Sequence, residues 1–108
     1  MTTSRFIVHS IVVSLVILSA DRDMAAENNR GAQLAAMCAS CHRLDGRDRG
    51  IPSIVGLDQK TLAGDMAAFK SGEHASQIMH VVAQSLSDTE IASLTQYLAA
   101  LPTGVNPR

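Results

Sequence analysis

The chain has 108 residues, a length that suggests a single domain, and its formal net charge is −1. From Asp21 onward it carries a net charge of −2, which argues against nucleic acid as the main partner. Aromatic residues make up 3% of the chain and tryptophan is absent, so the apolar core is poor in large rings. These features exclude a transmembrane transporter, a multidomain enzyme and a basic nucleic-acid-binding protein.

The N-terminus has the pattern of a secretory signal peptide. Met1–Arg5 carries one positive charge, and Phe6–Ala20 is almost wholly apolar. This apolar stretch is shorter than the roughly 20 residues that span a bilayer, so a retained anchor is the weaker alternative. We predict a signal peptide over residues 1–26, with cleavage after Ala20 or Ala26, and a single domain over residues 27–108. The protein is then exported and has no stable membrane span after processing.

A first helix is predicted after the signal, with Asn28 or Asn29 as its N-cap. Its apolar positions recur at i, i+3, i+4 and i+7 and are Leu34, Met37, Cys38 and Cys41. This spacing places both cysteines on the buried face. Residues 43–57 contain Gly46, Gly50, Pro52 and Gly56, which predicts an irregular loop of about 15 residues.

Two further helices have clear boundaries. Asp58 is the N-cap of the second, its apolar stripe is Leu62, Met66 and Phe69, and Gly72 ends it. In the last helix Ser87 and Glu90 form a capping box, the apolar stripe includes Ile91, Leu94 and Leu98, and Pro102 and Gly104 stop the helix. The segment between them, residues 71–85, is too mixed to assign beyond a brief helical turn. No strand pattern is present, so we predict an all-α fold.

The motif that carries chemistry is Cys38-Ala39-Ser40-Cys41-His42. C-x-x-C-H is the attachment sequence of c-type haem. Thiols at i and i+3 project from one side of a helical turn, where each can add to one of two neighbouring vinyl groups of a porphyrin. His42 can then reach the iron as the proximal ligand. We predict one covalently attached haem c, bound through Cys38 and Cys41.

Other interpretations of the two cysteines are weaker. A redox dithiol of the thioredoxin type requires a neighbouring βαβ pattern, and no strands are predicted. A zinc site needs four ligands, and His74 and His80 lie far along the chain without paired spacing. A disulfide between cysteines three residues apart would stabilise little. A haem, in contrast, supplies the apolar mass that so small a core lacks, with about three to five helices wrapped around it.

The second iron ligand is sought among the remaining methionines and histidines. Met66 continues the regular apolar stripe of the second helix, where methionine usually fills the core. Met79 lies in the poorly periodic segment, which could fold over the distal side of the ring. We therefore predict His42 and Met79 as the iron ligands, with His80 as the alternative to Met79. Such a pair raises the reduction potential and leaves no open coordination position.

We expect the loop over residues 43–57 to orient the ring of His42, the proximal ligand. A ligating histidine needs a hydrogen-bond partner for its other ring nitrogen, and a backbone carbonyl in the Gly50–Gly56 turn is placed to provide it. Pro52 would stiffen that turn and belongs to the predicted cofactor site. The plainer interpretation is that Pro52 is an ordinary loop proline.

The C-x-x-C-H motif, Pro52–Gly56, Met79 and a C-terminal helix bearing Tyr97 resemble the small class I c-type cytochromes. The resemblance runs from about Gly31 to Leu101. Four segments are similar, more narrowly, to the haem subunit of flavocytochrome c sulfide dehydrogenase. They are Ile51–Leu57, Phe69–Glu73, Ile78-Met79 and Ser87–Ile91.

The narrower resemblance implies a periplasmic mono-haem protein that accepts electrons from an FAD-containing, sulfide-oxidising flavoprotein. It also implies haem attachment at Cys38 and Cys41 and iron ligation by His42 and Met79. Gly31 and Tyr97 match the contact between the first and last helices of the family. Two positions depart from the family pattern, Arg43 in place of a glycine and His74 in place of a common arginine.

Three function classes follow. The first is an electron-transfer subunit paired with a flavoprotein that performs the substrate chemistry. The second is a free carrier that shuttles electrons between a periplasmic dehydrogenase and a terminal oxidase. The third, a haem sensor or peroxidase-like enzyme, would need an open distal site. We predict electron transfer rather than catalysis by this chain.

Overall fold

A computed structural model describes residues 22–102 of the chain. Within this range it contains four helices and no strand: α1 over residues 22–38, α2 over Gln59–Ser71, α3 over Gln77–Gln84 and α4 over Asp88–Ala100. The all-α prediction is confirmed. None of the described helices is long and apolar enough to cross a membrane. The predicted signal segment through Ala20 and the predicted stop at Gly104 lie outside the described residues.

The predicted cap of the first helix is wrong. Asn28 and Asn29 lie inside α1, which is already helical at residue 22. The preceding stretch, Met24–Glu27, consists of strong helix formers, so the helix continues through the two asparagines. The alternative cleavage site at Ala26 also lies within α1.

The buried face of α1 is only in part the predicted one. Leu34 and Ala35 are buried and Cys38 is half-buried, but Met37 is 70% exposed and Cys41 is exposed. The buried stripe of α1 is centred on Gly31 and Ala35, two small residues that a pattern of large apolar residues does not include. Met37 therefore lies outside the stripe. The helix ends at Cys38, so the helical spacing does not extend to Cys41.

α1 and α4 pack in close contact at Gly31. A Cβ added to Gly31 would lie 2.4 Å from the Ser93 carbonyl oxygen and 2.7 Å from the Tyr97 Cβ. Only glycine permits this approach of the two backbones. Arg30 forms an ion pair with Glu90 across the same contact, and its hydrogen bond to the carboxylate lowers the pKa of Glu90 to about 2. The contact between the first and last helices, expected from Gly31 and Tyr97, is therefore present.

We expect Gly31→Ala to destabilise the protein. The new methyl group has no space, and overpacking of this kind costs roughly 1–3 kcal/mol of the free energy of unfolding. Thermal unfolding followed by circular dichroism should show a midpoint lowered by several degrees. Gly64→Ala is the matched control, because a Cβ at this exposed position of α2 meets nothing within 4 Å. It should stabilise α2 by up to about 1 kcal/mol. Equal midpoints for the two variants would contradict the close contact.

α2 has the predicted boundaries. The Asp58 carboxylate accepts a hydrogen bond from Thr61 N at 3.0 Å, and Gly72 takes a left-handed conformation with φ of 85° at the C-terminal end. Leu62 and Met66 are buried, as their stripe predicts. Phe69 is half-buried beside them.

α3 is a full helix where the sequence indicated at most a brief turn. Ser76 is its N-cap, and the Ser76 Oγ accepts a hydrogen bond from Met79 N. Ala83 is completely buried, while Ile78 and Val81 are 73% and 59% exposed. The buried stripe is thus built on a small residue, and the large apolar residues lie outside it. That arrangement hides the helical period from a sequence pattern.

α4 carries the predicted capping box, and Ile91, Leu94 and Leu98 are buried. The Lys70 ammonium joins α2 to the start of this helix by donating to Leu86 O at 2.9 Å and to Asp88 Oδ1 at 2.8 Å. Two apolar clusters result. The first contains Leu34, Ala35, Leu62, Leu94 and Leu98, and the second contains Met66, Ala83 and Ile91. Leu86 packs against both clusters.

Candidate haem-attachment site

The Cys38–His42 segment forms the turn that ends α1. Both Cys41 N and His42 N donate to the Cys38 carbonyl oxygen, at 3.1 and 2.9 Å. Ser40 Oγ donates to Met37 O at 2.8 Å and closes the same turn. These bonds hold both thiols and the imidazole on one short stretch of fixed backbone. The predicted attachment residues are therefore brought together by local hydrogen bonding.

The two thiols lie in different environments. Cys38 packs against the first apolar cluster, whereas Cys41 is exposed. Burial raises the pKa of the Cys38 thiol above its ordinary value, and the neighbouring Cys41 adds to this effect. Redox dithiols of the thioredoxin type depend on a lowered thiol pKa. The raised pKa of Cys38 therefore argues against a thioredoxin-like site.

His42 is oriented by the loop. Its Nδ1 lies 2.7 Å from the Pro52 carbonyl oxygen. Because a carbonyl oxygen can only accept, Nδ1 must carry the hydrogen, and the lone pair of the neutral ring is on Nε2. Ligating histidines in proteins are commonly held in this way by a backbone carbonyl. The expected carbonyl in the Gly50–Gly56 turn is thus present, and Pro52 provides it.

The loop that carries Pro52 is ordered by its own side chains. Gly50 takes a φ of 89°, a left-handed conformation, and its N–H donates to Asp48 Oδ1 at 2.8 Å. Arg43 forms an ion pair with Asp45, and its hydrogen bond holds the pKa of that carboxyl well below its usual range. Val55 is buried, and Ile54 packs against the first cluster. The loop is therefore irregular, as predicted, but tied to the core beside His42.

The two candidate methionines occupy different places in the second cluster. Met66 is one of its three buried members, in agreement with the prediction that it fills the core. Met79 is half-buried and packs against that cluster from α3. The position of Met79 leaves part of its side chain accessible, which a ligand to a bound group requires.

The two histidines of the α2–α3 region have other contacts. His80 Nδ1 lies 2.7 Å from the Phe69 carbonyl oxygen. His74 Nε2 lies 3.6 Å from Asp65 Oδ1, and its ring centroid is 5.0 Å from that of Phe69. In residues 22–102 no group of three or more His, Cys, Asp or Glu side chains is arranged to hold a metal ion. The described residues therefore offer no ligand set for the alternative zinc site.

Large apolar side chains are exposed beside the predicted site residues. Met37, Ile51 and Ile78 are 70%, 44% and 73% exposed, and each is the direct chain neighbour of Cys38, Pro52 or Met79. Two thiols, an imidazole with a free Nε2, a thioether and exposed apolar groups match what a covalently bound porphyrin iron requires. The residues present fit a haem.

The structure brings Cys38, Cys41, His42 and Pro52 into one region, while Met79 is carried by a separate helix. The contact between His80 and Phe69 O was not foreseen, because a backbone acceptor leaves no trace in the sequence. The one sequence feature that relates to this contact is the position of His80 in the first turn of α3, shortly after the Ser76 cap.

Residues 29–102 match the family model described as Cytochrome c. The chain is 36% identical over 76 residues to the thiosulfate dehydrogenase electron acceptor of Stutzerimonas stutzeri. It is 30% identical over 94 residues to cytochrome c-553 of Helicobacter pylori strain J99, and 33% identical over 78 residues to cytochrome c-554(547) of Halothiobacillus neapolitanus.

The coverage of these relatives differs. The match to the Stutzerimonas protein takes in 67% of this chain but 35% of that protein, so the chain spans about a third of its length. The match to cytochrome c-553 takes in 84% of this chain and 96% of the relative. For cytochrome c-554(547) the shares are 61% and 86%.

Proposed function

The chain belongs to the cytochrome c family and carries electrons on covalently bound haem c, and from that premise we propose how its residues hold the group and which protein supplies the electrons. Cytochromes of this family are electron carriers and not enzymes. The proposal concerns the attachment residues, the two iron ligands, the compartment and the partner.

We assign the haem attachment to Cys38 and Cys41 and the iron ligands to His42 and Met79. The observation that carries this assignment is the hydrogen bond of His42 Nδ1 to Pro52 O at 2.7 Å, which leaves Nε2 free to ligate. Cys38 and Cys41 are the only thiols of the chain. Met79 is half-buried at the edge of the second cluster, whereas Met66 is buried within it.

A bound haem would supply one-electron redox chemistry at its iron. The chain holds the attachment turn and the neighbouring loop in place. Pro52 fixes the His42 ring through its carbonyl oxygen, and Cys38 and Ile54 anchor the attachment turn and the loop to the first cluster. A rigid site changes little when its charge changes, which favours fast electron exchange.

We propose that the protein works in the periplasm as the haem subunit that accepts electrons from a sulfide-oxidising flavoprotein. The likeness of Ile51–Leu57 and Phe69–Glu73 to the haem subunit of flavocytochrome c sulfide dehydrogenase supports this partner. The first segment contains Pro52, and the second leads into the turn that precedes α3. The proposed contact face is Ser71–Ser76, of which residues 71–75 are exposed.

A second candidate is an acceptor of electrons from a thiosulfate-oxidising dehydrogenase, either bound to it or diffusing freely to a terminal oxidase. The Stutzerimonas relative, named as the electron acceptor of thiosulfate dehydrogenase, favours this candidate. The relatives of similar size named cytochrome c-553 and c-554(547) favour a small free carrier.

Reduction kinetics distinguish the candidates. The oxidised holoprotein is mixed with sulfide alone, with sulfide and a sulfide-oxidising flavoprotein, or with thiosulfate and a thiosulfate dehydrogenase, and haem reduction is followed by absorbance. We expect the flavoprotein with sulfide to reduce the haem far faster than sulfide alone. If only the thiosulfate pair accelerates reduction, or if the protein gains nothing from either partner and exchanges electrons readily with an oxidase, the flavoprotein proposal is wrong.

A charge reversal tests the contact face. Glu73→Lys changes the exposed α2–α3 turn, and rim charges mainly alter association rates. Its second-order rate of reduction by the partner should differ from that of the unchanged protein by several-fold at low salt. Lys60→Glu is the control, because it also changes the charge by two, in the first turn of α2, whereas Glu73 follows the opposite end of that helix. Equal effects of the two variants would place the contact elsewhere.

A further inference from the structure

We propose that His80 is a positioning residue for the iron ligand Met79, acting through its hydrogen bond to the Phe69 carbonyl oxygen. This inference rests on the proposed ligation by Met79. His80 directly follows Met79 on α3, and its Nδ1 lies 2.7 Å from the Phe69 oxygen in the last turn of α2. The bond therefore links α3, which carries Met79, to the C-terminal end of α2.

α3 is a short helix, and it needs a contact that holds it against α2. It has eight residues, fewer than the roughly 12–15 at which an isolated helix becomes even marginally stable in water. Ala83 is its only buried residue, and Ile78 and Val81 are largely exposed. Within residues 22–102, the His80 bond is the single hydrogen bond that joins α3 to another helix. The placement of Met79 thus depends on few contacts.

The Phe69 carbonyl oxygen is well placed to accept the hydrogen bond from His80. Phe69 O belongs to the C-terminal end of α2, where carbonyl groups lack the next turn of helix as partners. It already accepts from Gly72 N at 3.1 Å, and the imidazole Nδ1–H occupies its second acceptor position. The negative end of the α2 dipole strengthens a bond from this donor. The bond therefore fills the remaining acceptor position of this carbonyl and fixes α3 in one step.

The place of the His80 ring, and not its hydrogen bond, argues against His80 as an iron ligand, since His42 makes a bond of the same kind to Pro52 O. A Cβ added to Gly72 would lie 3.9 Å from His80 Cε1, so the ring lies over the turn between α2 and α3. Met79, in contrast, packs against the second cluster together with Phe69 and Leu86. The two neighbours are therefore directed to different places, one to the turn and the other to the core.

Loss of the bond should loosen Met79 and leave the rest of the protein in place. Removing a hydrogen bond of this kind changes a local opening equilibrium by roughly 2- to 13-fold. External imidazole competes with a thioether for ferric iron, so its apparent affinity measures how often Met79 is released. In His80→Ala this affinity should rise by about that factor.

The experiment uses the ferric holoprotein and four variants. His80→Ala removes the donor, and His80→Asn restores it, since the asparagine amide nitrogen takes the place of Nδ1. His74→Ala is the matched control, because this exposed histidine lies in the same turn but contacts Asp65 and Phe69 on α2 rather than joining α3 to it. Met79→Ala tests the ligand itself. Imidazole titrations and the methionine-to-iron charge-transfer band near the red end of the spectrum are the readouts, and the thermal midpoint is recorded beside them.

We expect tighter imidazole binding and a weakened band in His80→Ala, recovery toward the original values in His80→Asn, and no change in His74→Ala. If Met79→Ala loses the band but His80→Ala binds imidazole like the unchanged protein, the ligand assignment stands and the role of His80 is overturned. If Met79→Ala keeps the band, both are overturned. If His80→Ala and His80→Asn abolish the original ligation alike while Met79→Ala does not, His80 is itself the ligand.

Discussion

Cys41→Ala is expected to lower the yield of haem-loaded protein by roughly tenfold or more, since a group that binds only the folded chain stabilises the fold by mass action. Cys38→Ala should have a similar effect. A domain of this size buries only about 60% of its unfolded surface, so its folding depends on the attached group. The measurement is the amount of holoprotein produced in a host with c-type maturation machinery. The mass of the denatured protein shows whether one haem is retained.

Ser40→Ala is the matched control for the cysteine variants. Ser40 lies between the two cysteines in the chain, and its Oγ donates to Met37 O at 2.8 Å and lies 3.8 Å from the Cys41 sulfur. Ser40→Ala removes one hydrogen bond that closes the turn but leaves both thiols in place. The control should retain most of its haem. Haem that extracts freely from the unchanged protein into acidified organic solvent would show that the group is not covalently attached.

Much of the fold could be predicted because helix-capping residues and large apolar residues determine it. The Asp58 cap, the Gly72 stop and the Ser87–Glu90 capping box all involve side chains whose local chemistry fixes a helix end. The stripes Leu62–Met66 and Ile91–Leu94–Leu98 are buried as their spacing indicates. Local interactions of this kind act within one turn of helix and do not depend on the rest of the chain.

The predictions that failed depended on small residues and on helix length. α3 is held to the core by Ala83, and the buried stripe of α1 is set by Gly31 and Ala35, none of which stands out in a hydrophobic pattern. The apolar pattern therefore predicts the buried face for Met37, which is exposed. Asn28 and Asn29 have the side chains of helix caps, but the helix formers before them extend α1 past both. In each case a tertiary contact or a neighbouring segment overrode the local preference.

The site could be predicted as far as side chains define it. The C-x-x-C-H spacing indicates the attachment residues, and the need of a ligating histidine for a carbonyl partner indicated the Gly50–Gly56 turn. Which carbonyl serves His42 depends on the φ angle of Gly50 and on the packing of Ile54 and Val55, which only the folded loop shows. The contact of His80 with Phe69 O has the same origin, since both acceptors are backbone atoms.

The second large effect is expected at Met79. Met79→His should lower the reduction potential by on the order of 100 mV or more, within the roughly 0.8 V that axial ligands span, because imidazole favours ferric iron over a thioether. Met79→Ala should let carbon monoxide bind the reduced haem. Potentiometric titration and carbon monoxide difference spectra measure the two effects.

Met66→Leu provides the comparison for Met79, because both methionines belong to the second cluster but Met66 is buried within it. Exchange of methionine for leucine of similar volume usually costs less than about 1.5 kcal/mol and removes the sulfur without opening a cavity. The spectrum and the potential should therefore stay close to those of the unchanged protein. If the charge-transfer band instead survives Met79→Ala and vanishes in Met66→Leu, α2 carries the ligand. The half-buried position of Met79 would then be that of a core residue at the edge of its cluster.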